Sequence, residues 1–179
     1  MLLDEELEIA EETESYRNKR LRFGIASING SLSKEEFKEI CEWKSQRNAI
    51  YPDENSQQDL DGVFFEGFKK GRVLPDTLNK LIKLRGVQIP TASVFLTLYA
   101  PDEYGIIDYH AWQALYRRGL VSRKESGKNL TIDDYMLYVN QIRRLAKKYQ
   151  TTPRIIDLSL MRENQRNTGS KSGLCWFST

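Results

Sequence analysis

Few side chains in this chain of 179 residues invite catalytic work: one histidine, two cysteines, and 25 acidic groups set against 27 basic ones. Asp108 draws attention first. It stands directly before a helical pattern, in the segment Ile107, Asp108, Tyr109, His110. A carboxylate in that place has two uses: it can cap the helix by accepting first-turn N–H groups, or it can stabilise positive charge on a substrate and activate water. His110, the sole histidine, either reaches phosphate or a pocket wall, or is an exposed first-turn residue. Twenty-four residues before Asp108 begins the run LRGVQIPTA, residues 84–92. Gly86 there suits a turn between two helices, because it tolerates positive φ. Successive backbone N–H groups where the second helix starts form a concavity for an anion such as phosphate. Lys83 and Arg85 flank the turn and suit salt-dependent phosphate contacts; as ordinary surface charges they need no such role.

Composition removes other chemistries. Cys41 and Cys175 match no metal or redox spacing, so both are expected as reduced thiols. Two cysteines in one chain exclude a four-cysteine iron–sulfur or zinc site, and one histidine excludes a multi-histidine centre; no metal or cofactor is expected. No stretch approaches the roughly 20 apolar residues of a membrane span. The start, MLLDEELEIAEETES, lacks the basic-then-apolar order of a signal peptide, so a cytoplasmic protein is expected. Net charge is +2 but uneven: residues 1–60 sum to −6, residues 61–120 to +2 and residues 121–179 to +6. A polyanion meets a more favourable field beyond residue 60, although solvated helix faces of differing charge account for the same trend.

The elements that must position these groups read as helices. Ser33 and Glu36 have capping-box spacing, and Phe37, Ile40, Cys41 and Trp43 follow, with the helix failing near Asn48 before Tyr51 and Pro52. Val63, Phe64, Phe65 and Phe68 predict a second helix ended by Gly71. Pro75 opens a third, with Leu78, Leu81 and Ile82 on one face, and Gly86 stops it. Pro90 opens a fourth that ends at Pro101 and Asp102. Another runs from Tyr109 to about Arg118, followed by a polar loop over residues 119–129. Thr131 with Asp134 caps a long amphipathic helix, and Thr152 with Pro153 begins the last. Most Tyr and Phe side chains at helical spacing are expected in the core rather than as base-stacking platforms. Trp43 and Trp176 are candidates for a pocket wall that the sequence does not place. The chain thus reads as all-α: an acidic N-terminal segment over 1–30, a helical domain over 31–167, and a C-terminal tail over 168–179.

Residues 84–114 resemble the helix–hairpin–helix (HhH-GPD) DNA glycosylase superfamily, typified by endonuclease III, 8-oxoguanine glycosylases and adenine-DNA glycosylases. Leu84, Gly86, Val87, Thr91 and Ala92 fit the family's Leu-x-Gly-Val-Gly-x-x-Thr-Ala hairpin, and Ile107, Asp108 and His110 fit its Val/Ile-Asp-x-His segment. The resemblance, which covers about 30 residues, implies a divergent member with a helical domain of DNA-glycosylase type and a helix–hairpin–helix at about 75–99. It implies binding of double-stranded, possibly damaged DNA through Arg85, Gly86, Val87, Gln88, Thr91 and His110. It also implies Asp108 as the carboxylate that stabilises the sugar cation and orients water once a base is extruded. Two departures narrow the activity. Gln88 replaces the second hairpin glycine, and Pro90 fills the place of the lysine that forms a Schiff base in bifunctional members, so no lyase step runs through that position. A monofunctional glycosylase and a non-catalytic DNA-binding or protein-interaction domain on the same scaffold both fit; no partner protein and no oligomeric state is implied.

Overall fold

The computed structural model describes residues 14–29, 32–45, 51–68 and 74–169, together with Leu7 and Glu12. Among these residues there are eight α-helices and no strand. They are α1 (Glu14–Asn29), α2 (Lys34–Lys44), α3 (Gln57–Gly67), α4 (Leu74–Leu81), α5 (Ile89–Tyr99), α6 (Tyr109–Arg117), α7 (Ile132–Tyr149) and α8 (Pro153–Thr168), with a 3-10 turn at Tyr51–Glu54. No helix among the described residues is long and apolar enough to cross a membrane.

Local chemistry sets most helix starts. Ser33 with Glu36, Ser56 with Asp59 and Thr131 with Asp134 each close a capping box, satisfying donors that the first turn cannot pair internally. Thr152 accepts the Ile155 N–H while Pro153 occupies the first turn of α8. Two helices stop in left-handed backbone, α7 at Gln150 (φ 54°) and α8 at Gly169 (φ 63°).

The sequence IPTASVFLTLY makes α5 the axis of the core. It is apolar or small nearly all round, and every residue from Ile89 to Leu98 except Pro90 is buried. On one side α1 and α2 pack on it and α3 closes the cluster of Phe23, Phe37, Phe64, Phe68 and Phe95. The Phe37 and Phe95 rings stack with centroids 5.5 Å apart, and Phe64 meets Phe95 edge-on at 5.2 Å. On the other side α6 lies along α8, and α7 packs against α8. Here Trp112, Tyr135, Tyr138, Ile142, Ile156 and Leu160 fill the interior.

Several boundaries differ from the pattern reading. Where the sequence reading offers only fraying or a short surface helix over the opening 16 residues, α1 runs from Glu14 to Asn29 and buries Tyr16 and Phe23 in the core. The second expected helix begins earlier, at Gln57, because Ser56 caps it, and Phe68 is already its C-cap. Gly71, Cys175 and Trp176 lie outside the described residues. The last helix continues to Thr168, into the stretch assigned to the tail.

Candidate functional site

The chain between α5 and α6 delivers Asp108, and side chains from α5, α7 and α8 hold it. The Tyr135 hydroxyl donates to the Gly105 carbonyl (3.0 Å), and the Tyr138 hydroxyl donates to the Ile106 carbonyl (3.1 Å). The Ile106 N–H donates to Asp157 Oδ2 (2.6 Å), and the Ile107 N–H donates to Ser93 Oγ (3.1 Å). Buried backbone groups outside a helix or sheet need such partners, since each left unpaired is costly. Gly105 is required by close approach. A Cβ there would stand 2.6 Å from Ile142 Cδ1, 2.8 Å from Asp157 Oδ2 and 3.0 Å from the Pro153 carbonyl. Ser93 itself stands in the first turns of α5, where its hydroxyl donates to the Pro90 carbonyl of the same helix (2.7 Å).

Asp108 is half-buried at the N-cap of α6, and its Oδ1 accepts the Ala111 N–H at 2.7 Å. That side chain also lines a cavity with Trp43 and Lys44 from the end of α2, Ile106 from the strap, and Arg154, Asp157, Leu158 and Met161 from α8. Its free volume is about 30 Å³, room for one or two waters. A nucleobase does not fit that volume as the walls stand.

Four charged groups share this lining, two cations and two carboxylates. The Arg154 guanidinium donates to Asp157 Oδ1 (2.5 Å) and lies 4.3 Å from the centre of the Tyr16 ring; its Nε is buried without an acceptor. Burial pushes the Asp157 carboxyl up to about 7, with Asp108 adding to the rise, while Arg154, the Ile106 amide and Lys44 pull the other way. Lys44 is buried, and its ammonium is lowered first by desolvation and also by Arg154, against the opposing pull of Asp108 and Asp157. The Tyr135 and Tyr138 hydroxyls stay protonated donors, their pKa raised well above the ordinary value by burial.

The residues singled out around the α4–α5 turn occupy different settings. Arg85 is exposed; its Nε pairs with Glu54 Oε2 at 2.8 Å and its guanidinium lies 5.9 Å from the Tyr51 ring centre. The Arg85 backbone is taken on both sides by Asn55, which accepts its N–H (2.8 Å) and donates to its carbonyl (3.0 Å). Gly86 has φ 83°, and a Cβ there would meet Pro52 Cδ at 3.0 Å, so the 3-10 turn covers this face of the α4–α5 connection. The Val87 N–H closes onto the Leu84 carbonyl (3.1 Å) with its side chain buried. Gln88 is the N-cap of α5 but makes no side-chain cap bond; it is exposed, whereas Thr91 is buried.

His110 is buried on α6 and not an exposed first-turn side chain. Its Nδ1 lies 2.7 Å from the Asn164 side-chain amide of α8. It faces the α6–α8 contact. Arg118 pairs with the buried Glu163 (2.7 Å).

Sequence reasoning found Asp108 and named Trp43 without placing it; it missed Lys44, Arg154 and Asp157. Signals for them exist. Lys44 follows Phe37, Ile40 and Cys41 at helical spacing on the buried face of α2, and Asp157 interrupts the apolar run of α8 three residues after Arg154. Among the described residues no group of three or more His, Cys, Asp or Glu side chains is placed to hold a metal. No family model, no curated protein and no solved structure matches the chain.

Proposed function

We propose that this protein binds double-stranded DNA and acts on an extruded nucleotide as a monofunctional glycosylase of the helix–hairpin–helix type. The observation that carries the reading is the position of Asp108. One carboxylate oxygen is spent on the α6 cap and the side chain still borders a cavity, so a cap does not exhaust it. Cleavage of an N-glycosidic bond builds positive charge on the sugar, and a fixed carboxylate beside that carbon stabilises it and orients the attacking water. The turn before α5, with its glycine in left-handed backbone and the α5 N-terminus behind it, is the phosphate-holding element in this reading. Ser93, in the first turns of α5, links that helix to the strap bearing Asp108. For a base to enter, the cavity walls must move outward.

The second reading is a DNA-binding or protein-interaction domain without catalysis, and the small cavity favours it. Fluorescence anisotropy with a duplex carrying an uncleavable abasic-site analogue, beside its undamaged counterpart at two salt concentrations, tests both. The glycosylase reading expects tighter binding to the analogue, weakened by salt, and base release that disappears in Asp108→Asn while binding persists. Equal binding to both duplexes with no base release from a damaged-base panel supports the non-catalytic reading. No binding at low salt ends the DNA proposal.

A further inference from the structure

We propose that the loop at residues 123–129 grips the DNA backbone beside the nucleotide that faces Asp108, through Lys128 and Arg123. The inference rests on the DNA reading and adds to it a contact surface separate from the α4–α5 turn. Position is the first observation that carries it. The loop lies against the first turn of α6, the helix that Asp108 caps. Gly127 is buried there with φ 61°, and a Cβ on it would stand 3.3 Å from Trp112 Cδ1, 3.4 Å from the Tyr109 carbonyl oxygen and 3.5 Å from Tyr109 Cα. A backbone that brings a sugar to Asp108 carries the flanking phosphates past this loop.

The second observation is that the loop is held in one shape. Trp112 Nε1 donates to the Lys124 carbonyl (2.8 Å), and the Gln113 side-chain amide donates to the Glu125 carbonyl (3.1 Å). The Gly127 N–H closes onto the Lys124 carbonyl (2.8 Å). The Lys124 ammonium pairs with Asp134 Oδ2 (2.6 Å) and also donates to the Asn129 carbonyl. Lys124 and Asn129 both adopt left-handed backbone, at φ 50° and 51°. That conformation is unfavourable for a lysine and persists where the surroundings impose it. A loop already shaped loses little freedom on binding.

Charge is the third. From Tyr109 to Leu130 the chain carries five cations, Arg117, Arg118, Arg123, Lys124 and Lys128, against one acid, Glu125. Glu163 matches Arg118, but Lys124 and Arg123 share Asp134, with Arg123 Nε 2.8 Å from Oδ1. One carboxylate between two cations leaves an excess of positive charge, and that excess faces outward. The Arg123 side chain is 48% exposed, and Lys128 is exposed with no ion pair among the described residues. At the α4–α5 turn, by contrast, Arg85 is matched by Glu54. Outward cations on a fixed loop suit phosphate, whose contacts set position without reading bases.

The test uses the full chain and the duplex with the uncleavable abasic-site analogue, with anisotropy read at about 50 and about 200 mM salt. Lys128→Gln is expected to weaken binding at the lower salt and to make the salt slope shallower by about 0.9, the value of one lost phosphate contact. Glu125→Gln, which removes the acid of the loop, is expected to strengthen binding. Both side chains are exposed. Lys147→Gln, in the last turn of α7 and roughly 22 Å along that helix from its start, is the control for a mere change in net charge and should bind as the wild type does. Methylphosphonate substitution then locates the contact: neutralising a phosphate next to the analogue should weaken the wild type and add nothing further in Lys128→Gln. A Lys128→Gln protein that matches the wild type or the Lys147→Gln control, or a coupled phosphate remote from the analogue, overturns the grip and leaves the DNA reading standing. A wild type that binds neither duplex at low salt overturns both.

Discussion

The α4–α5 turn and the strap at residues 105–108 are both irregular segments that must hold a fixed shape, and they solve the problem in opposite ways. The turn is secured by the segment at residues 51–55, in which Asn55 and Pro52 are buried and Glu54 is exposed. Asn55, Pro52 and Glu54 engage Arg85 and Gly86 around an exposed guanidinium. The strap is secured from the interior by Ser93, Tyr135, Tyr138 and Asp157, brought from α5, α7 and α8. Water can replace the exposed Glu54 as a partner of the Arg85 guanidinium, but not the buried Asn55 or the interior partners of the strap. The strap that aims Asp108 thus depends wholly on interior partners, whereas the turn keeps one solvent-facing ion pair.

The largest effect is expected at Asp157, which serves the strap and the charge balance together. Asp157→Ala removes the acceptor of the Ile106 N–H and leaves the Arg154 guanidinium buried without its carboxylate, a loss of about 3–5 kcal/mol. Denaturant unfolding at pH 5, 6, 7 and 8 measures it and its pH dependence. Folding raises this carboxyl from 3.8 to about 7, so between those values the folded state binds the proton and the unfolded state does not. Its contribution is full below about pH 4, declines as pH rises, and is spent above about 7. The gap between wild type and variant accordingly narrows from pH 5 to pH 8. A gap that widens with pH would mean that Asp157 is held ionised throughout.

Two glycines sharpen the contrast. Gly105→Ala drives a methyl into Ile142 Cδ1, Asp157 Oδ2 and the Pro153 carbonyl, and is expected to cost about 2–3 kcal/mol through overpacking. Gly86→Ala meets a backbone penalty of about 1–2 kcal/mol at positive φ and a tight but peripheral contact with Pro52. The ordering of the two midpoints is the test, and a Gly86→Ala variant less stable than Gly105→Ala would mean that the turn tolerates added volume less well than the strap. Next in size is Tyr138→Phe, which leaves the buried Ile106 carbonyl without its donor at about 1–3 kcal/mol. Base release, if present, should fall in the same variant, because the strap aims Asp108.

These segments also separate what the sequence discloses from what it hides. The helix starts are legible because a capping box is a local contract between Ser33 and Glu36 or Thr131 and Asp134. The turn is legible because Gly86 and Pro90 restrict backbone angles over a few residues. Helix α1 escapes because its stripe is thin: Tyr16 and Phe23 are buried seven residues apart while Leu21, between them, is exposed. Asp108 is legible as a cap, but apart from Ile106 its cavity is made by residues 43–44 and 154–161, more than 40 positions away on either side. His110 is polar by type yet buried by its pairing with Asn164. Burial of a polar group is a tertiary outcome, and its only local trace is a charge on an apolar helix face, as at Lys44 and Asp157.

The smallest effect is expected where the turn meets solvent. Arg85→Met removes an ion pair with Glu54 whose partners are both exposed, and exposed pairs contribute about 0–1 kcal/mol. Its backbone bonds to Asn55 persist, since they do not involve the side chain. Stability should therefore hold within about 0.5 kcal/mol, while duplex affinity at low salt falls and the salt dependence becomes shallower by about one phosphate contact. Glu54→Gln is the complementary change: it releases the same guanidinium and should strengthen binding. If both variants leave the salt dependence unchanged, phosphate is held elsewhere and the turn is a structural connection only. The interior strap would then stand alone as the feature that points to chemistry.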